Sequence, residues 1–359
     1  MEFEPLDQPF EVVQITNQRL TEVDDDLVLE NKRLSATELN RFATETGSSA
    51  DTDISPSLKL VRFPYSVGQQ KILARWEVFQ HVFRSFMLEP LMLRIALRNC
   101  ASFYELGQCV SSNGHKVLRY FLNRRSFIIL WSYNTGTAAT RAIILTRTSE
   151  GSRRAYSNFH AKLEIYRSLV YHPTFLPFIA VMEALIYVDE FLKEEVKELR
   201  SAEKETGFSH FYRHLPRPDY TAEQELLVFS DMSRLASGTL VGIADMTGHL
   251  QTAQVVLDYI INDKVQWKRE VYQNTKSQIE RCEKSIIEVS VFLRSQLDST
   301  FRYMEYIKER ARNQLTVVRY RKSYFNAPLT QASYSIFLLE EMRNRISISQ
   351  KLPGRTAPL

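Results

Sequence analysis

The stretch Ile279–Val318, IERCEKSIIEVSVFLRSQLDSTFRYMEYIKERARNQLTVV, decides the fold class. Ile279, Cys282, Ile286, Val289, Leu293, Leu297, Phe301, Met304, Ile307, Ala311, Leu315 and Val318 step by three or four. That is a narrow apolar stripe of the coiled-coil kind. No glycine or proline lies between Gly248 and Pro328 to interrupt it. The pattern predicts one helix from Val255 to Val318, about 95 Å long at 1.5 Å per residue. No compact monomeric core is that long, so the helix needs partner helices, a partner subunit or both. Shorter helices of the same chain cover only part of the stripe. The part beyond Phe301 is expected to stay open, which makes Met304, Ile307, Ala311 and Leu315 a self-association surface.

Upstream, Phe178, Val181, Met182, Leu185, Val188, Leu192, Val196 and Leu199 follow one face of another helix, which Gly207 is placed to end. Thr221 with Gln224 is a capping-box pattern that opens a further helix. The front of the chain reads differently. Leu73, Trp76, Phe79, Phe83 and Phe86 are helically spaced up to Pro90, and Leu91–Leu106 reads as a second helical piece stopped by Gly107. Val117–Leu122, Phe127–Tyr133 and Arg141–Thr146 are strand-like, and Asn134-Thr135-Gly136-Thr137 reads as a hairpin turn between the last two. Residues 1–57 are acidic and polar, with Asp24, Asp25 and Asp26 together and a linker-like TETGSSADTDISPS at Thr44–Ser57. Order is expected to begin near Leu58.

The fold expected is therefore α+β and predominantly helical. A small N-terminal sheet with helices precedes long antiparallel helices, including one very long stalk helix. Four segments follow: a flexible acidic 1–57, a mixed α/β 58–220, a long helical 221–318 and a polar tail 319–359.

Several function classes drop out. A net charge of +4 is too mild to imply a nucleic-acid partner. Cys100, Cys109 and Cys282 are an odd, widely spaced set, which argues against a disulfide framework and for a reducing compartment. The acidic N-terminus carries no secretory signal pattern. The most apolar run, Phe175–Val188, is shorter than the ~20 residues of a spanning helix and contains Glu183. As written, the chain is not expected to cross a bilayer. It holds no phosphate-binding glycine loop, no GxSxG, no HExxH and no EF-hand loop. His210 and His214 stand four apart, as two metal ligands on one helical turn would, but they lie between Gly207 and Pro216 and read as loop residues; Arg153 and Arg154 beside Tyr156 suit a phosphate and equally a surface turn. No catalytic constellation emerges. Lys308, Arg310, Arg312, Arg319, Arg321 and Lys322 crowd the end of the long helix. A solvated helix end explains them; so does a cytosolic position beside a membrane.

Three stretches resemble fungal CorA-like divalent-cation transporters. The first is His172-Pro173 with Phe175-Leu176-Pro177-Phe178, leading to Glu203-Lys204-Glu205-Thr206-Gly207-Phe208. The second is Leu235-Ala236-Ser237-Gly238. The third, and most specific, is Tyr306–Val318, which contains Arg310, Asn313, Gln314, Leu315 and Thr316. In that family a similar Arg-x-x-Asn-Gln-Leu-Thr segment lies late on the stalk helix that runs into the first membrane span. Ser126–Trp131 fits as well. The resemblance covers roughly residues 58–318. It implies an α/β cytosolic domain with stalk helices, pentameric assembly, and Mg²⁺ between cytosolic domains that holds the pore shut. The family's Gly-Met-Asn motif occurs nowhere in this sequence, so transport by this chain alone is not expected. A CorA-like regulatory module is the expected function, with a soluble helical coiled-coil interaction protein as the alternative. The expected partners are a divalent cation, further copies of the chain through the long helix, and a membrane surface at the basic helix end. The expected place is the cytoplasm or the cytosolic face of a membrane. Hard cations take carboxylate oxygens. Glu183, Asp189 and Glu190 on one helix, and Asp258 and Asp263 on the stalk, are the carboxylates available, though none matches a metal site of the family.

Overall fold

The computed structural model describes residues 2–4, 9–17, 27–45, 57–66, 68–96, 101–207, 221–262 and 273–326. The Asp24–Asp26 triplet, most of the 44–57 linker, His210, His214, Asp263 and residues 327–359 lie outside them. In chain order the elements are β1 (Glu2–Phe3), β2 (Phe10–Asn17), β3 (Leu27–Leu34), α1 (Ala36–Thr44), β4 (Ser57–Ser66), β5 (Lys71–Ile72), α2 (Trp76–Ser85), α3 (Leu91–Ala96), β6 (Ser102–Val110), β7 (Lys116–Asn123), β8 (Phe127–Asn134), β9 (Ala139–Arg147), α4 (Glu150–Ile165), a 3₁₀ turn (Arg167–Leu169), α5 (Phe175–Thr206), α6 (Ala222–Asn262) and α7 (Gln273–Asn326). The fold is α+β and predominantly helical. Two compact units divide the chain: Met1–Val188 with Thr247–Ser299, and Asp189–Met246 with Thr300–Leu359. They interleave in sequence.

The first unit is built on the sheet. Its order is β1-β5-β4-β9-β8-β7-β6, and β2 joins β4 with β3 beyond it. β4 and β9 run parallel, with Leu58 opposite Thr140 and Tyr65 opposite Arg147. β2/β4, β2/β3, β8/β9, β7/β8 and β6/β7 are antiparallel. β8 reads FIILWSYN and is buried almost end to end, as a strand covered on both faces must be. One face packs Val61, Phe63, Phe121, Leu130, Ile143 and Leu145 against Leu39 and Phe42 of α1 and Phe79, Val82 and Phe83 of α2. The other face presents Phe127, Trp131 and Tyr133. Phe127 meets Phe159 of α4 at 5.2 Å, Trp131 Nε1 donates to Pro173 O at 3.2 Å, and the Tyr133 hydroxyl donates to Tyr171 O at 2.8 Å.

One cross-strand row caps two helices. Lys59, Arg141, Ser132 and Arg119 are register partners in turn on β4, β9, β8 and β7. Lys59 Nζ donates to Phe42 O (2.6 Å) and Glu45 O (2.7 Å) at the end of α1. Ser132 Oγ donates to Phe86 O (2.6 Å) and Arg119 Nε to Met87 O (2.8 Å) at the end of α2. Donors there answer the carbonyls that a helix leaves unpaired at its C-terminus.

The hairpin turn after β8 forms as expected. Asn134 Oδ1 accepts from Gly136 N (2.9 Å) and Thr137 N (3.2 Å). A Cβ on Gly136 would lie 2.2 Å from the His115 ring, so only glycine fits.

Several expectations need correction. Residues 10–17 and 27–34 are strands and 36–44 a helix, so order does not begin at Leu58. Acidic composition hid Phe10, Val12, Val13 and Ile15, which are buried because β2 lies between β3 and β4. It also hid the capping box of Ser35 and Glu38 that opens α1. With those strands the N-terminal sheet has nine members among the described residues. The helical piece Leu91–Leu106 ends at Ala96, and Ser102–Val110 is an edge strand instead. Gly107, at φ +34°, marks an irregularity in its pairing rather than a helix end. Arg153 and Arg154 lie within α4, which Ser149 caps, not in a turn. The single helix from Val255 to Val318 is two: α6 ends at Asn262 and α7 begins at Gln273. α7 then runs past Val318 to Asn326, into what reads as a polar tail.

The second unit takes the later part of α5, the first part of α6 and the end of α7. Gly207, at φ +66°, closes α5 with its N–H on Lys204 O. Thr221 and Gln224 form the expected reciprocal cap of α6, at 2.9 and 3.3 Å. A Cβ on Gly242 would lie 2.5 Å from Phe191 Cζ, so the bare backbone of α6 seats a ring of α5.

Candidate functional site

The carboxylates expected to be available for a metal divide between the two units, and Asp263 lies outside the described residues. Glu183 is buried on α5, and its Oε2 accepts from Arg124 Nη1 at 2.6 Å. The same nitrogen donates to Ala180 O at 2.7 Å, and the guanidinium lies 5.4 Å from the Phe127 ring. Asp258 on α6 pairs with Arg294 of α7 at 2.6 Å, and Arg294 also reaches Asp298 at 3.5 Å. Both groups belong to the first unit. Asp189 and Glu190 are exposed in the second, where Lys193 binds Asp189 at 2.7 Å. The hydrogen bond and charge of Asp189 raise the Lys193 pKa. Among the described residues no three His, Cys, Asp or Glu side chains are grouped to hold a metal. Three of the carboxylates therefore have a cationic side chain as partner.

The motif on α7 has a definite place. Arg310 grips Glu203 of α5 with both edges of its fork, Nε to Oε1 at 2.8 Å and Nη2 to Oε2 at 2.7 Å. Burial works against the charge on Arg310. The hydrogen bonds and charge of Glu203 outweigh it, so its pKa stands above the ordinary arginine value. One turn later Gln314 Oε1 lies 2.8 Å from the Thr206 hydroxyl, and both side chains are buried. Asn313 is half-buried beside them and Leu315 is buried. Two stretches quoted separately, Glu203–Phe208 and Tyr306–Val318, thus meet in space. Glu203 and Thr206 were not singled out as site residues. Their signal was a carboxylate and a hydroxyl three apart on a helix, facing an arginine and an amide four apart.

The self-association surface is corrected. Met304, Ile307 and Ala311 are 1%, 0% and 0% exposed, and Leu315 is buried with them. α5 lies against this part of α7, with Glu203 and Thr206 bonded to Arg310 and Gln314, and the stripe is closed within one chain. Within one chain the stripe presents no open face to a second copy. Of the basic residues at the helix end, Lys308 pairs with Glu305 (2.8 Å), Arg312 with Glu309 (3.7 Å) and Arg310 with Glu203, while Arg319 is exposed.

The cap row holds the most perturbed lysine. Lys59 is 3% exposed, and burial followed by the nearby Arg141 charge pushes its pKa down to about 8 against the pull of Glu45. Burial pushes Arg141 down to about 10. Cys109 and Cys282 are free thiols, and Cys100 lies outside the described residues. No described helix is long and apolar enough to cross a membrane.

No protein-family model matches this chain, and no curated protein does. Among solved structures, the full-length CmaX protein is similar at 12% identity and a TM-score of 0.49, over 99% of this chain and 92% of that one. The soluble domain of CorA from Methanocaldococcus jannaschii is similar at 11% identity and TM-score 0.34, over 82% and 97%. The complete CorA magnesium transporter from Methanocaldococcus jannaschii is similar at 10% identity and TM-score 0.37, over 95% and 98%. All three TM-scores lie below 0.5, so the likeness assigns this chain neither family nor activity.

Proposed function

We propose that this chain is a non-catalytic, CorA-like regulatory module that works at the cytosolic face of a membrane and responds to a divalent cation such as Mg²⁺. The observation that carries the reading is the contact of Glu203 and Thr206 with Arg310 and Gln314. Residues from two of the stretches that resemble the family bind each other on long helices, as parts of one inherited helical frame would. A cation would find Asp189 and Glu190 exposed, whereas Glu183 is closed off by Arg124. The exposed Arg319 on α7 suits an anionic lipid surface.

The test is thermal unfolding of the full chain in Mg²⁺, against a KCl control of equal ionic strength. A ligand that binds only the folded state raises Tm progressively with its concentration. A rise of at least ~3 °C at about 10 mM Mg²⁺ is expected, on the scale by which ligand binding shifts unfolding. A melt indistinguishable from the KCl control overturns the cation response. A second reading, a soluble helical interaction protein, is favoured by one observation: Val241 on the outer face of α6 is 71% exposed.

A further inference from the structure

α2 carries two faces. Val78, Phe79, Val82 and Phe83 are buried in the core of the first unit. Glu77, Gln80, His81, Arg84 and Ser85 share another face, at helical spacings of three or four, over about 12 Å at 1.5 Å per residue. These five residues line a cavity of about 480 Å³. That volume is within the range of small-molecule sites. None of the five side chains has a hydrogen bond or ion pair with a described residue. Arg84 thereby differs from Arg62, Arg119, Arg124, Arg294 and Arg310, each of which holds a carboxylate.

His81 adds an independent mark. Its Nε2 is closed off from solvent with no hydrogen-bond partner, whereas its Nδ1 is not. An enclosed N–H without an acceptor is costlier than an enclosed bare acceptor. The neutral ring therefore keeps its proton on Nδ1 and offers a donor at its accessible edge. The chemistry is graded along the face. Toward the C-terminal end of α2, Arg84 supplies a charged fork that matches phosphate oxygens, beside the His81 and Ser85 donors. About 10 Å away along the axis, Glu77 only accepts. Its carboxylate suits hydroxyl donors and repels a bare anion. Gln80 lies between them and can do either.

We infer that this face of α2 binds a small phosphate monoester that also carries hydroxyl groups, a sugar phosphate by class. The phosphate sits on Arg84 and His81, and hydroxyls reach Glu77. The site goes beyond the cation-responsive reading and does not rest on it.

Titration calorimetry of the full chain, in a buffer free of phosphate and divalent cations, tests it with glucose 6-phosphate, inorganic phosphate and glucose. Glucose 6-phosphate should saturate with a Kd on the order of 100 μM, and inorganic phosphate should bind at least ~10-fold more weakly. Arg84→Gln should weaken glucose 6-phosphate at least ~10-fold. Glu77→Gln separates the two ends of the site: it should weaken glucose 6-phosphate and leave inorganic phosphate as tight or tighter. Both residues are exposed, and thermal melts verify that each variant folds. Absence of saturable binding by glucose 6-phosphate overturns the inference, as does an affinity unchanged in R84Q. Inorganic phosphate bound as tightly as the ester would show an adventitious ion only and overturns it as well.

Discussion

At the scale of single residues, the buried charges of Arg124, Glu183 and Lys59 are each answered, and the answers differ in what they cost to break. Arg124 and Glu183 are 4% and 2% exposed, so neither charge can fall back on water. Glu183→Gln leaves a buried guanidinium without its counter-charge and should cost about 3–5 kcal/mol in urea unfolding. Replacing both by methionine should cost clearly less, since no charge remains stranded; equal losses would mean the pair acts only through packing. Lys59 behaves differently because its partners are carbonyls. Its folded pKa of about 8 lies below the ordinary lysine value of 10.5. Between those two values the unfolded chain binds more protons, so this group makes stability rise with pH across that window. Below pH 8 both states are protonated, and the cost of burying the charge is carried in full. Lys59→Met should abolish the rise: its stability relative to wild type should fall as pH goes from 8 to 10.5. A constant difference across those pH values would mean Lys59 does not titrate there.

At the scale of elements, α5 and α7 are tied by two polar contacts one turn apart on an otherwise apolar stripe. Apolar stripes repeat, and a helix displaced by a turn finds similar neighbours; a half-buried fork and a buried amide do not. Arg310→Lys keeps the charge and loses the bidentate grip. It should weaken the α5–α7 contact by about 1–2 kcal/mol, less than the roughly 3 kcal/mol expected for Glu203→Gln. A double-mutant cycle gives the coupling, and a value near zero would show the pair to be decorative. Gly242→Ala should cost about 1–3 kcal/mol, because the added methyl must displace the Phe191 ring. The helices were legible in the sequence wherever one face was apolar and the ends were marked, as with Gly207 and Thr221. The strands β7, β8 and β9 were legible as short apolar runs, and the turn between β8 and β9 by Asn134 and Gly136. What escaped was whatever composition disguised: β2 and β3 sit among acids, one of which, Glu11, pairs across the sheet with Arg62. The site was half legible. Arg310 and Gln314 could be named from their own segment, but their partners lie more than 100 positions away. The stripe from Met304 to Leu315 is legible as apolar from its spacing. What periodicity does not carry is which helix lies against it: α5, through Glu203 and Thr206, packs beside this part of α7.

At the scale of the whole molecule, both units are assembled from parts far apart in sequence. In the first, β4 lies parallel to β9, and Arg62 Nε donates to Thr146 Oγ1 across a separation of 84 residues. That pairing fixes a time order during synthesis. β4 leaves the ribosome with Leu58, Leu60, Val61 and Phe63 exposed to solvent, and its parallel neighbour does not exist until Arg147 has been made. Until then the nascent sheet has an open apolar edge of the kind that invites mispairing and chaperone capture. Long-range parallel pairing is also slow to form, because the intervening loop must close before any contact repays it. Ribosome-arrested chains whose emerged part stops short of β9 should therefore be cut readily by protease in β4. Chains long enough to expose Arg147 should become resistant in a single step. Resistance gained gradually with length would mean that β4 is sheltered earlier, by β2 and β3 alone.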